Sequence, residues 1–143
     1  MNFLMASEPK DYEMCQALME EAGIPKVWGL IFPTVMAFQD RKLVGFLSTR
    51  IEDKMIIAGP LVLKSDRRRI FTALRLAEAY ESSMRTLGIK TFIFAGEAGG
   101  VLDRAIKRYY PHAVPYAVNE DGMKFWTWRI DNGGQDDRSR TVS

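Results

Sequence analysis

Apolar residues recur at helical spacing in three segments of the chain. Met14, Leu18 and Ala22 lie four residues apart and define the apolar face of the first segment. Ile70 and Leu74 open a longer stripe of the same kind in the second segment. Because proline favours the first turn of a helix and glycine its end, these residues set the boundaries. The pattern predicts helices over residues 9–22, 66–87 and 101–110.

Runs of β-forming residues between these helices predict strands. Two of them, 34–39 and 43–51, are joined by a short polar turn and form a hairpin. Gly59-Pro60 lies in the middle of the strand Met55–Leu63, which indicates an edge, a bulge or a break in the ladder. Segment 26–33 is apolar but bracketed by prolines, and we expect a loop or a short helical turn there. The predicted strands are 2–6, 34–39, 43–51, 55–63, 90–95, 113–118 and 123–130.

The order of these elements defines the fold class. Three successive strands form an antiparallel meander, whereas the nearly all-apolar strand 90–95 lies between two helices and enters the sheet through a parallel crossover. We therefore predict an α+β fold in which one mixed sheet has helices on both faces. Residues 1–130 form this domain, and the polar segment 131–143 is expected to be a disordered tail.

Composition narrows the chemistry. One Cys and one His among 143 residues exclude an intramolecular disulfide and disfavour zinc modules and His relays, so no metal site is predicted. No apolar stretch approaches the ~20 residues that span a bilayer, and no secretory segment is evident, so we expect a cytoplasmic protein without membrane contact. The net charge of +2 hides an asymmetry, since residues 1–30 carry two basic and five acidic side chains.

Three consecutive arginines, Arg67, Arg68 and Arg69, begin the longest predicted helix. Cations at a helix N-terminus oppose the helix dipole, so their presence suggests an anionic partner. Three interpretations stay open at this point: a solvated basic face, a phosphate site, or a nucleic-acid site.

The order of elements over residues 2–130 resembles the GCN5-related N-acetyltransferase (GNAT) superfamily. In that family the strand that corresponds to Met55–Leu63 leads into a pyrophosphate-binding turn, Gln/Arg-x-x-Gly-x-Gly/Ala. Arg67 fits the first position of this pattern, whereas Ile70 and Thr72 stand where the two small residues belong. The resemblance implies that acetyl-CoA is bound by the following residues: Leu61, Val62, Leu63, Arg67, Arg68, Arg69 and Thr72.

A second family pattern, Asn-x-x-Ala-x-x-x-Tyr, lies in the helix after the buried strand. Ala105 and Tyr109 fit it, but Leu102 occupies the Asn position. The resemblance implies that Tyr109 protonates the departing CoA thiolate, and Glu97 is the candidate that removes the amine proton. The alternatives are that Tyr109 packs the helix end and that Glu97 is an exposed loop acid.

Two hypotheses follow for the function. The first is an acetyl-CoA-dependent N-acetyltransferase that acts on an unknown amine, in a small molecule or a protein, by direct transfer in a ternary complex. The acidic first segment would suit a cationic amine, and Trp28, Phe32 and Tyr116 would line its cleft. The second is a catalytically degenerate GNAT-fold interaction or structural protein, similar to small bacteriophage proteins. The sequence leaves open whether the chain forms a homodimer. The first hypothesis requires strands 55–63 and 90–95 to diverge at their carboxyl ends.

Overall fold

A computed structural model describes residues 1–24, 29–64 and 69–130. The described residues form three helices and seven strands. The helices are α1 (Pro9–Glu21), α2 (Arg69–Thr86) and α3 (Val101–Tyr109). The strands are β1 (Asn2–Met5), β2 (Ile31–Gln39), β3 (Lys42–Glu52), β4 (Met55–Leu63), β5 (Thr91–Glu97), β6 (Ala117–Val118) and β7 (Met123–Arg129).

The strands build one mixed sheet in the order β1-β2-β3-β4-β5-β7-β6. Neighbouring strands are antiparallel except β4 and β5, which run parallel because α2 carries the chain back over the sheet between them. This arrangement confirms the predicted α+β class, with an antiparallel meander and one parallel crossover.

The sheet separates two apolar layers. On one face α2 and α3 cover a large aromatic core, in which Tyr80, Phe92, Phe94 and Trp128 meet edge to face or at a tilt. On the other face α1 covers a smaller core around Cys15 and its neighbours on the sheet, Met36, Phe46 and Val62. Helices therefore lie on both faces, as predicted. Helix α1 lies over the antiparallel meander, and α2 and α3 lie over the centre of the sheet.

Some predicted boundaries are wrong. Strand β2 begins at Ile31, within the segment that was expected to be a loop or helical turn, although residues 25–28 lie outside the described residues. The predicted strand 113–118 shortens to β6 because Val114 is 76% exposed and Pro115 cannot donate to a ladder. Helix α1 begins after the N-cap residue Glu8, and Asp11 in its first turn stabilises this start, since its carboxylate accepts the N–H groups of Ser7 and Glu8.

The ladder of hydrogen bonds is interrupted on both sides of Ser48. Three residues of β2 lie opposite this one residue of β3: Phe32, Pro33 and Thr34. On the other side of Ser48, two residues of β4 lie opposite it, Gly59 and Pro60. Side-chain hydroxyls take over where backbone pairing fails. Thr34 Oγ1 donates to the Ile31 carbonyl at 2.9 Å and lies 2.6 Å from Ser48 Oγ, while Thr49 Oγ1 donates to the Pro33 carbonyl at 2.7 Å. The predicted irregularity at Gly59-Pro60 is therefore a bulge.

Gly45 of β3 marks the tightest approach between β3 and β4. A Cβ at this position would lie 2.9 Å from the carbonyl oxygen of Val62 and closer still to the side chain of Leu63. We expect Gly45→Ala to lower the free energy of unfolding by about 1–3 kcal/mol, because the backbone of β4 must move. Gly29→Ala is the matched control: no atom of the described residues lies within 4 Å of its Cβ position, and the change should stay within about 0.5 kcal/mol. Urea unfolding of both variants measures the difference, and equal losses would contradict this account.

Candidate active site

The parallel strands β4 and β5 pair over a short distance and then separate. Their register comprises Ile57 with Ile93 and Ala58 with Phe94. Beyond these pairs β4 continues to Leu63 along β3, whereas β5 continues to Glu97 along β7. The opening between residues 59–63 and residues 95–97 is called the slot below. It has the divergence at the carboxyl ends that the first hypothesis requires.

The β4 wall of the slot offers backbone groups. Lys64 donates its N–H to Val44 on β3 at 2.8 Å, and successive residues of a strand direct their N–H and C=O groups to opposite neighbours. The backbone groups of Leu61 and Leu63 therefore point toward the slot, and those of Val62 point toward β3. The Val62 side chain is buried in the α1 core, which fixes this strand from below. The wall is thus suited to hydrogen-bond an extended amide-containing chain.

Helix α2 begins where β4 ends. Arg69 is its first residue, and its Nε atom is buried without a hydrogen-bond partner among the described residues. The Thr72 side chain is buried, and its hydroxyl donates to the Met1 sulfur at 3.8 Å. Ile70 is half-buried. Arg67 and Arg68 lie outside the described residues.

The β5 wall ends in a tight turn from Glu97 to Gly100. Leu102, in the first turn of α3, packs directly against Gly96, where a Cβ would lie 3.2 Å from the leucine Cδ2 atom. Leu102 is buried, so a leucine replaces the Asn of the family pattern for a packing reason. Glu97 is exposed, and its backbone carbonyl accepts the N–H of Gly100 at 2.9 Å. Glu97 therefore lies at the open end of the slot.

Tyr109 is the last residue of α3, and Glu97 precedes that helix. The nine residues of α3, a length of about 13 Å, lie between them in the chain, with Glu97 before the start of the helix and Tyr109 at its end. Tyr109 is 41% exposed, and the Arg108 guanidinium lies 5.7 Å from its ring centroid. Its neighbour Tyr110 packs edge to face on Trp128. Because Trp128 pairs with Phe92, this end of α3 lies near the closed end of the slot.

A buried carboxylate that sequence reasoning missed holds this region together. Asp103 accepts the N–H of Gly99 at 2.8 Å and pairs with Lys124 of β7 at 2.9 Å and with Lys107 at 3.9 Å. Burial raises the pKa of Asp103, but the Gly99 N–H and the two ammonium groups together bring it below the ordinary value of 3.8. An acidic residue in the first turn of a helix, four residues before a lysine, was the available signal.

Of the three aromatic residues expected in the acceptor cleft, two lie among the described residues, and both are exposed. Phe32 is 53% exposed and Tyr116 is 54% exposed, with Tyr116 tilted over Phe125 on the open face of β7. Trp28 lies outside the described residues. In the described ranges, no helix is long and apolar enough to cross a membrane, and no group of three His, Cys, Asp or Glu side chains could hold a metal ion.

Known structures share this architecture. An aminoglycoside 6′-N-acetyltransferase from Enterococcus faecium has a TM-score of 0.69 and 15% identity, and the match covers 94% of this chain and 100% of that chain. An aminoglycoside 6′-N-acetyltransferase complexed with coenzyme A has a TM-score of 0.67 and 16% identity, with the same coverage. The ribosomal-protein-S18-alanine N-acetyltransferase from Escherichia coli has a TM-score of 0.56 and 15% identity, covering 94% and 98% of the two chains.

These similarities concern structure. No family model matches the chain, and no curated protein matches it in sequence. The chain has the fold of the GCN5-related N-acetyltransferase superfamily, as the order of its elements predicted.

Asp103 provides a test of how the β5 wall is held. We expect Asp103→Asn to lower the free energy of unfolding by about 1–3 kcal/mol at pH 7, because two ammonium groups lose their counter-charge. Asp121→Asn, at an exposed turn, is the control and should stay within about 0.5 kcal/mol.

The same carboxylate gives a pH dependence. Its pKa is lower in the folded state, so its stabilisation is complete above the ordinary value of 3.8 and disappears as the pH falls through the folded value. The difference in stability between wild type and Asp103→Asn should therefore shrink below about pH 4. Thermal unfolding between pH 2 and 7 measures it, and a constant difference would show that the charge is not responsible.

Proposed function

We propose that the protein is an acetyl-CoA-dependent N-acetyltransferase that acts on an amine. The observation that carries this proposal is the divergence of β4 and β5 directly after Ala58 and Phe94. That divergence leaves the backbone groups of Leu61 and Leu63 without a neighbouring strand among the described residues. Structures with this fold include acetyltransferases, and some of them contain coenzyme A.

Each end of the slot has a distinct role in this proposal. The pantetheine arm would lie along β4 and accept and donate hydrogen bonds at Leu61 and Leu63. The pyrophosphate would lie at the start of α2, where unpaired N–H groups and the dipole favour an anion and where Arg69 adds charge. Arg67, Arg68 and the Thr72 N–H belong to the same proposed set. The thioester would then reach the closed end of the slot.

Direct transfer of the acetyl group requires no covalent intermediate on the enzyme. The amine nitrogen attacks the thioester carbonyl, the C–N bond forms, and the C–S bond breaks. Backbone N–H groups of β4 would polarise the carbonyl oxygen. Tyr109, at the end of α3, would donate its phenolic proton to the thiolate. Glu97 lies three residues beyond Phe94 on β5, so it would accept the amine proton through a chain of water molecules. A cytoplasmic location belongs to the same proposal.

A separate observation favours a second function. Leu102 fills the place of the family Asn and packs on Gly96, and Ile70 stands in a glycine position at the start of α2. Both substitutions remove space or donors that a phosphate or an amide would use. A GNAT-fold interaction protein without catalysis is therefore the alternative.

Calorimetric titration with acetyl-CoA separates the two functions. We expect micromolar binding, and we expect Arg69→Ala to weaken it by about tenfold or more, because a charge-assisted contact to phosphate is lost. Arg85→Ala is the control on the same helix, since Arg85 lies in its last turn and pairs with Glu81. Absent or millimolar binding by the wild type would favour the non-catalytic alternative.

The proposed roles of Tyr109 and Glu97 are tested by measuring the rate of acetyl transfer in variants. With a panel of primary amines, Tyr109→Phe should lower kcat by about 10²-fold or more while leaving the Kd for acetyl-CoA unchanged, because the phenol acts on the leaving group. Tyr12→Phe removes a phenol from α1, on the opposite face of the sheet from α3, and should leave kcat unchanged. Glu97→Gln should lower kcat in the same assay, because no carboxylate then accepts the amine proton. Unchanged kcat in Tyr109→Phe would assign that residue a packing role.

A further inference from the structure

The guanidinium of Arg50 lies over Gly59, where β4 and β5 diverge. Its Nη1 atom is 3.4 Å from the position that a Cβ at residue 59 would occupy, and the carbonyl oxygen of Ala95 is 3.7 Å from the same point. Arg50 belongs to β3 and is paired across the sheet with Ile57 of β4. Its side chain therefore crosses β4 and ends between the two strands that form the slot.

A carboxylate fixes the orientation of this arginine. Glu52 accepts the Nε–H of Arg50 at 2.7 Å, and the Arg50 side chain is only 15% exposed, compared with 54% for Glu52. An exposed ion pair has little energetic weight, but a largely buried guanidinium in a fixed plane recognises another anion with geometric specificity. Its planar fork matches the two oxygens of a carboxylate.

The position of Arg50 relative to the reaction rests on the proposed function. If the pyrophosphate lies at the start of α2, which follows the end of β4, the acyl group lies at the closed end of the slot. That closed end is Ala58 with Phe94, and Gly59 is the next residue of β4. Arg50 is then beside the atoms that react.

We propose that Arg50 binds a carboxylate carried by one of the two reactants. The carboxylate is unchanged by the reaction, because the bonds that form and break are the amide C–N bond and the thioester C–S bond. It has two chemical sources: the carboxylate of an amino-acid acceptor, or the free carboxylate of a dicarboxylic acyl group on CoA. Either one would place an anion beside the new amide bond.

The first arm of the test uses product analogues that differ in one group. N-acetylglycine and N-acetylglycinamide are titrated separately into the full chain, and the arginine Nε–Hε signals are followed by NMR. We expect the acid, and not the amide, to shift the Arg50 signal in a saturable manner. Arg50→Gln should weaken binding of the acid at least tenfold, and Arg50→Lys should weaken it less, because lysine keeps the charge but loses the fork.

The second arm examines the acyl donor. Calorimetry compares succinyl-CoA with acetyl-CoA, and a preference for succinyl-CoA that Arg50→Gln abolishes would assign the carboxylate to the acyl group. Arg129→Gln is the control in both arms, since Arg129 is an exposed arginine at the end of β7. Circular dichroism confirms that each variant folds.

The outcomes separate this inference from the function on which it rests. If CoA binds but neither carboxylate probe depends on Arg50, the inference is overturned and the proposed function stands. If CoA does not bind while N-acetylglycine still shifts the Arg50 signal, the proposed function fails and the carboxylate site remains. If N-acetylglycine and N-acetylglycinamide bind alike, or neither binds and succinyl-CoA shows no preference, Arg50 is not a carboxylate site.

Discussion

The broken hydrogen-bond ladder around Ser48 is the constraint on which the rest of the structure depends. Pro33 and Pro60 have no N–H to donate, and the extra residues beside them shift the register on both sides of one residue of β3. A bulge bends a strand and increases its local twist. Strand β4 therefore leaves β5 at Gly59-Pro60, immediately after Ala58, and the slot exists because the sheet cannot stay paired there. The hydroxyls of Thr34, Ser48 and Thr49 keep the interruption satisfied inside the protein.

The opposite face supplies the rigidity that such an interruption needs. Tyr80 of α2 is buried among Phe92 and Phe94, and its hydroxyl lies 2.7 Å from Thr49 Oγ1, next to the break. Because Thr49 donates to the Pro33 carbonyl, Tyr80 is the donor to Thr49. Burial raises the pKa of Tyr80 to about 12, so the phenol keeps this proton at any physiological pH. One face of the sheet is thus covered by a fixed aromatic core, and Arg50 lies on the opposite face.

The fold was predictable because its determinants are local. Helical spacing, glycines and prolines placed α1, α2 and α3 to within a few residues of their described bounds, and the position of one apolar strand between two helices predicted the parallel pair. The site was less predictable because its determinants are distant in sequence. Asp103 meets Lys124, and Arg50 meets Gly59, only after the sheet has formed, and no periodicity encodes either contact. Strand β2 was misjudged at its start because Pro33 argues against a strand, and only the bulge opposite Ser48 accommodates it.

The burial of Cys15 has a consequence for the proposed thioester chemistry. Its side chain is fully buried beneath α1, and burial raises its pKa to about 12. The nucleophile in thioester exchange is the thiolate, which needs both exposure and a low pKa. Since the chain contains one cysteine, no sulfur of the folded protein can compete for a bound acyl group. In the proposed acetyltransferase, the fold thus keeps the protein's own thiol away from the acyl group, and the Cys15 sulfur does not compete with the incoming amine.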